Sequence, residues 1–76
     1  MVKKELPALK SLEVIKALEK AGFKIKRQTG SHVILYKSDL KRRLTVPQHT
    51  KDLPKGTLRA IIRQANLSLD EFLEFL

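Results

Sequence analysis

The 76-residue chain contains no cysteine and no tryptophan, only three glycines and three prolines, and half as many acidic residues as basic ones. Without cysteine it can form neither a disulfide framework nor a thiolate metal site. Because 42% of its residues are hydrophobic, it has enough apolar material for a folded core. No stretch approaches the roughly 20 apolar residues of a membrane span, and the start MVKKELPALK lacks the apolar run of a signal peptide. We therefore expect one soluble domain, residues 1–76, in the cytoplasm.

The shortage of acids leaves a net charge of +8, and the excess is concentrated in the middle of the chain. Residues 22–46 contain a single acid, Asp39, whereas the last nine residues contain acids and no base. The basic residues of the middle region are Lys24, Lys26, Arg27, Lys37, Lys41, Arg42 and Arg43. This distribution predicts a polyanionic partner bound on one face. Surface lysines that serve only solubility are the simpler alternative.

Three segments have the apolar spacing of helices. In SLEVIKALEKAG, Ser11 can cap the start and Gly22 can end the helix. GTLRAIIRQA follows Pro54, which needs no amide partner near the start of a helix. In SLDEFLEFL, Ser68 and Glu71 match a capping box. The predicted apolar stripes are Leu12, Ile15, Leu18 and Ala21 in the first helix and Leu58, Ile61, Ile62 and Ala65 in the second.

Between the first two helices, the segments FKIKRQ, SHVILYK and RRLTV alternate apolar and polar residues as strands do. Thr29-Gly30 predicts a turn between the first two strands, so that they form a hairpin. Ser38-Asp39 opens a second turn, and Pro47 ends the third strand. Residues 48–53, QHTKDL, are expected to form a loop.

This order of elements predicts an α+β domain with the helices on one face of a three-stranded antiparallel sheet. Strand alternation assigns these residues to the helix side: Phe23, Ile25, Val33, Leu35, Leu44 and Val46. It assigns these to the open face: Lys24, Lys26, His32, Ile34, Tyr36, Arg43 and Thr45. A slip of one residue in the second strand would instead bury His32 and Tyr36.

His32 is the best candidate on the open face for proton transfer, because histidine exchanges protons near neutral pH. The 2′-hydroxyl of RNA can attack the neighbouring phosphorus if a base removes its proton, an acid protonates the departing 5′-oxygen and cations stabilise the added charge. His32 could fill either proton role, and Lys and Arg the electrostatic one. Gly30 and Ser31, which allow close approach and offer a hydroxyl, favour this chemistry over a simple packing or surface role for His32.

Other residues are weaker candidates. His49 could be a second acid or base, although a solvated loop residue is the favoured interpretation. Tyr36 could stack on a base or pack across strands. The segment 55–57, Lys-Gly-Thr, could hold a phosphate at a helix start but falls far short of a P-loop. The acids are scattered and the histidines form no metal-binding motif, so we expect neither a metal nor another cofactor.

The order and spacing of several short motifs resemble the HicA (YcfA-like) toxins of bacterial and archaeal toxin–antitoxin systems. The motifs are SLEVIKALEKAGF, RQTGSH, LTVPQH and KDLPKGTLRAIIRQANLSLDEF, and they span about residues 11–72. Two features differ from many relatives: Val33 follows the GSH motif where a second polar residue is frequent, and the first ten residues extend beyond the usual family start.

The resemblance implies an α-β-β-β-α fold like that of double-stranded-RNA-binding domains, here with a short extra C-terminal helix. It also implies a ribosome-independent mRNA endoribonuclease that is paired with a HicB antitoxin. His32, the histidine of the GSH motif, would be the catalytic residue. The expected RNA-binding residues are Lys24, Lys26, Gly30, Ser31, Tyr36 and Arg43.

We therefore expect a metal-independent RNA-cleaving toxin. The alternative is a non-catalytic RNA-binding module that uses the same basic face. A helix-turn-helix DNA binder built on GTLRAIIRQANLS is less favoured, because Arg59 and Arg63 are its only bases and the three strands would have no role.

Overall fold

The computed structural model describes residues 6–38, 41–48 and 51–76 of the chain. The elements are α1 (Ser11–Lys20), β1 (Lys24–Gln28), β2 (His32–Lys37), β3 (Arg42–Pro47), α2 (Lys55–Gln64) and α3 (Leu69–Glu74). The strands form an antiparallel sheet in the order β1-β2-β3, and the helices pack against it. This arrangement confirms the α+β fold expected from the order of elements. None of the helices in the described part of the chain has the length and apolar character that crossing a bilayer requires.

The hydrophobic core lies between the helices and one face of the sheet. Val33 and Leu35 of β2 are at most 1% exposed, and so are Leu44 and Val46 of β3. The predicted alternation and register of these two strands are therefore confirmed. The helices contribute Val14, Ile15, Ala17, Leu18, Leu58, Ile61, Ile62 and Phe72 to the same core.

Strand β1 departs from strict alternation. The pattern assigns Ile25 to the buried side, yet its side chain is 44% exposed. Ile25 pairs with Leu35 and so lies on the helix side. Because β1 is an edge strand, Ile25 has a neighbouring strand on one side only, and its other side is open to solvent. The pairing then shifts, because Arg27 rather than Lys26 pairs with Ile34. This bulge moves Arg27 to the open face, where alternation had no place for it.

The N-cap residue of α1 lies one position earlier than the sequence suggests. Lys10 is the N-cap residue, and its main-chain N–H donates to the Glu13 carboxylate at 3.0 Å. Ser11 is the first helical residue and is buried, and its hydroxyl donates to the carbonyl of Pro47 at 2.6 Å. The prediction of Ser11 as the cap was therefore wrong: its hydroxyl instead ties the start of α1 to the end of β3.

The buried side of α1 also differs from the predicted stripe. Leu12 is 62% exposed, because the face that meets the sheet is centred on residues such as Val14 and Leu18. Gly22 follows the helix with φ +107°, a conformation that only glycine adopts easily, so its prediction as the helix end is confirmed.

Lys37, on the same side of β2 as Val33 and Leu35, stabilises the C-terminal end of α1. Its Nζ donates to the carbonyl of Ala21 at 2.9 Å and lies 5.8 Å from the centroid of the Phe23 ring. Carbonyls at a helix C-terminus lack partners within the helix and interact favourably with cations. One member of the central basic region therefore has a structural role.

The segment before α1 belongs to the core. Leu6 and Leu9 are 5% and 4% exposed, and the main-chain N–H of Leu53 donates to the carbonyl of Leu9 at 2.8 Å. This bond joins the loop before α2 to the segment before α1, although the two residues are 44 positions apart in the chain. The sequence offered no role for these residues beyond extending the family pattern.

The remaining local predictions are confirmed where the structure describes them. Pro54 is the N-cap residue of α2. At the start of α3, the Ser68 N–H donates to the Glu71 carboxylate at 2.9 Å and the Glu71 N–H donates to Ser68 Oγ at 3.1 Å. Ser68 lowers the pKa of Glu71 by hydrogen bonding to its carboxyl, chiefly through the Ser68 backbone N–H and to a smaller extent through the Ser68 side chain. Asp39 of the second predicted turn lies outside the described residues.

Candidate functional site

The turn between β1 and β2 holds the backbone around His32 from two sides. The Thr29 N–H donates to the His32 carbonyl at 2.8 Å, and the His32 N–H donates to Thr29 Oγ1 at 3.0 Å. From the other side, the Gln48 N–H donates to the Ser31 carbonyl at 2.8 Å. The position of His32 at the start of β2 is therefore determined by the hairpin and by the residue that follows β3. Thr29 was not among the predicted site residues, although a threonine three residues before the histidine is a turn-forming signal.

The side chain of His32 is exposed, as the predicted register requires. Ser31 Oγ lies 3.0 Å from its Nδ1, so the ring nitrogen nearer the backbone already has a partner. The second nitrogen, Nε2, is then the one that can reach a substrate. His49, the second candidate histidine, lies outside the described residues.

Cross-strand pairing arranges the open face in three rows. The first contains Lys24, Tyr36 and Arg43, the second Arg27, Ile34 and Thr45, and the third His32 and Pro47. At about 3.3 Å per residue, the first and third rows are about 13 Å apart along β2. His32 thus shares a face with Lys24 and Arg43 but lies at its opposite end. A single partner that contacts both ends must run along the strand.

Arg27 belongs to the second row and is the strand cation whose row lies nearest to His32. It was not among the RNA-binding residues expected from the sequence. Strict alternation assigns Arg27 to the helix side, where a charged side chain would need a partner in the core. That conflict is the signal from which a bulge in β1 could have been inferred. In the structure, Lys26 is the extra residue of the bulge and Arg27 pairs with Ile34, so Arg27 does not enter the core.

Tyr36 is half-buried and lies beneath a lysine. Lys26 Nζ is 5.1 Å from the centroid of its ring, which is a cation–π distance. The tyrosine therefore makes a cross-strand contact in the free protein, one of the two roles considered for it. A base that stacked on this ring would have to displace Lys26.

Gly30 leaves open space beside Ser31 and His32. A Cβ built on Gly30 would meet no atom within 4 Å, and its φ lies outside the left-handed region. The glycine is therefore not required by the backbone, but it allows another molecule to approach the turn closely. Residues 55–57, considered for phosphate binding, form the first turn of α2.

The surroundings of His32 are an open strand surface. A groove of about 370 Å³ lies elsewhere and involves no strand residue; its lining is Leu6, Arg59, Ile62, Arg63, Leu67 and Leu69. Within residues 6–38, 41–48 and 51–76, no three His, Cys, Asp or Glu side chains are grouped so that they could hold a metal ion. An open, basic strand surface is better suited to a polymer than to a small enclosed ligand.

A sequence model described as the HicA toxin of bacterial toxin–antitoxin systems matches residues 12–67. The chain belongs to the HicA toxin family. The matched region runs from α1 to just beyond α2 and contains the three strands, the GSH turn and His32. The toxin is therefore one component of a toxin–antitoxin pair. The buried residues Leu6 and Leu9 lie before the matched part of the chain. No curated protein sequence matches the chain significantly.

Proposed function

We propose that this HicA-family toxin is the toxin of a type II system and cleaves mRNA as a metal-independent endoribonuclease, with His32 as its proton-transfer group. The observation that supports this most directly is the exposed His32 at the end of a basic strand surface, with Nδ1 engaged by Ser31 and Nε2 available to a substrate. Membership in the toxin family agrees with this role.

In the proposed reaction, the 2′-oxygen of a ribose forms a bond to the adjacent phosphorus, and the bond from that phosphorus to the next 5′-oxygen breaks. His32 either accepts the 2′-hydroxyl proton or donates a proton to the departing 5′-oxygen, and solvent exchanges the other proton. The products are a 2′,3′-cyclic phosphate and a 5′-hydroxyl. No metal is needed to generate a nucleophile, because the RNA itself supplies it.

The cations of the open face would hold the RNA and stabilise the added negative charge. Arg27 is in the row next to His32 and is the strand cation best placed to act near the reacting phosphate. Lys24 and Arg43 lie in the row farthest from His32, and Lys26 contacts Tyr36 of that row; these three cations would bind flanking phosphates. The 13 Å between the end rows requires an RNA chain that follows the strand.

We further propose that a HicB-like antitoxin inhibits the enzyme by covering this surface in the cytoplasm. A protein that binds the open face would have to present acids to Lys24, Arg27 and Arg43. The same three residues would then contribute to both antitoxin binding and RNA binding, so one partner would exclude the other.

The test is RNA cleavage in EDTA by the wild-type protein and by His32→Ala, with the ends of the products identified. We expect 2′,3′-cyclic phosphate ends from the wild type and a roughly 10²- to 10⁴-fold lower rate from His32→Ala. His49→Ala is the matched control because it removes the other histidine, and it should retain activity. Circular dichroism verifies that each variant is folded.

Three outcomes would contradict parts of the proposal. Undiminished cleavage by folded His32→Ala would exclude the histidine as the proton-transfer group. Cleavage that stops in EDTA would exclude a metal-independent reaction. Binding of RNA by the wild type without any cleavage would favour the non-catalytic RNA-binding module.

A further inference from the structure

The hydrogen bond between Ser31 and His32 has a consequence for which nitrogen reacts. We infer that Ser31 is a positioning residue: its Oγ accepts a hydrogen bond from the Nδ1–H of His32 and thereby makes Nε2 the nitrogen that exchanges protons with RNA. This inference rests on the proposed function and assigns Ser31 to the histidine, whereas the sequence suggested only a contact with RNA.

The chemistry of imidazole explains why the direction of this bond matters. Neutral histidine carries one N–H, so a proton on Nδ1 leaves a lone pair on Nε2 that can act as a base. Protonated histidine carries both N–H groups and can donate from Nε2 as an acid. A hydroxyl that accepts from Nδ1–H is satisfied in both states, whereas a hydroxyl that donated to Nδ1 would place the neutral ring's proton on Nε2 and abolish the base.

Hydrogen bonds to the backbone of the turn hold the two residues in place, one of them made by the Thr29 side chain. The Ser31 carbonyl accepts from the Gln48 N–H at 2.8 Å, and the His32 N–H donates to Thr29 Oγ1 at 3.0 Å. These bonds hold the backbone of both residues, and on that backbone Ser31 Oγ lies 3.0 Å from His32 Nδ1. The order Gly-Ser-His then combines open space for the substrate, an acceptor for Nδ1 and the reacting imidazole.

A first experiment reads the tautomer directly and needs no RNA. Nitrogen NMR of the His32 ring at about pH 8, above the ordinary histidine pKa, distinguishes protonated from unprotonated ring nitrogens. We expect the Nδ1–H form to predominate in the wild type and in Ser31→Thr, which keeps the hydroxyl. Ser31→Ala should lower its population severalfold. A predominant Nε2–H form in the wild type, or no change in Ser31→Ala, would overturn the inference.

A second experiment measures cleavage. Ser31→Ala should lower kcat roughly tenfold with KM unchanged, and Ser31→Thr should restore most of the rate. Ser38→Ala is the matched control, because it removes an exposed turn serine at the other end of β2 and should change neither constant. A higher KM with unchanged kcat would mean that Ser31 contacts RNA instead. If the wild type does not cleave RNA, the proposed function fails, and the tautomer measurement still decides the role of Ser31.

Discussion

Removing three cations from the open face should weaken RNA binding and make it less sensitive to salt. The open-face variant combines Lys24→Ala, Arg27→Ala and Arg43→Ala, all at exposed positions. The matched control removes three exposed cations from the helices: Lys16→Ala, Arg59→Ala and Arg63→Ala. Both variants lower the net charge of +8 by three, so they differ only in where the charge is lost.

The expected size of the effect follows from counterion release. For a single strand, the logarithm of affinity falls with the logarithm of salt concentration by about 0.7 for each neutralised phosphate. If each open-face cation neutralises one phosphate, the variant should have a slope less steep by about 2. Between about 50 and 200 mM salt, the affinity difference between wild type and variant should then shrink about 18-fold.

The assay is fluorescence anisotropy with a labelled single-stranded RNA at several salt concentrations. Both variants and the reference carry His32→Ala, so that the RNA is not cut during the titration. The control variant, which lacks Lys16, Arg59 and Arg63 of the helices, should keep a salt-dependence slope close to that of the reference. Equal slopes for the two triple variants, or a larger loss in the control variant, would refute the assignment of RNA to the sheet.

Three further predictions concern stability and are measured by thermal and acid unfolding. Lys37→Met removes the bond to the Ala21 carbonyl and should lower the free energy of unfolding by about 1 kcal/mol, or Tm by roughly 4–8 °C; an unchanged Tm would mean that the bond contributes nothing. Ser68→Ala removes the cap of α3, with a loss of about 1 kcal/mol. Because the pKa of Glu71 is lowered by folding, its stabilising effect is present above about pH 4.3 and lost as pH falls through the folded pKa. Ser68→Ala keeps the backbone N–H, the larger cause, and removes the side-chain one, so it should raise that pKa in part and weaken the acid dependence slightly; an unaltered acid profile would mean that the Ser68 side chain does not act on Glu71. Leu9→Ala should cost roughly 2–5 kcal/mol, and wild-type stability would show that the segment before α1 is not part of the core.

The features that could be predicted from the sequence depend on residues close to one another in the chain. The alternation of β2 and β3 requires only a period of two, and the box of Ser68 and Glu71 requires only a spacing of three. The exposure of His32 follows from the same alternation once Val33 and Leu35 are buried. Short motifs in a particular order were sufficient for the family resemblance, which the family match confirms.

The features that could not be predicted depend on contacts between distant residues. Ser11 meets Pro47 across 36 positions, and its hydroxyl serves that carbonyl instead of capping α1. Alternation places Lys37 on the side of Val33 and Leu35 but does not predict its bond to the carbonyl of Ala21, 16 positions away. Neither contact can be recognised from the sequence, because the residues next to each partner in the chain give no sign of the other partner.

The sequence by itself determined which segments become helices and strands, which face of β2 and β3 is buried, and that an exposed imidazole follows glycine and serine. Only the tertiary structure decided that β1 bulges and brings Arg27 to the open face, that Lys24 and Arg43 lie at the opposite end of that face from His32, and that Ser31 engages Nδ1. The physical reason is that periodicity records whether a side chain meets solvent or core. Pairing register at an edge strand and the distance between two side chains are set by how the whole chain packs.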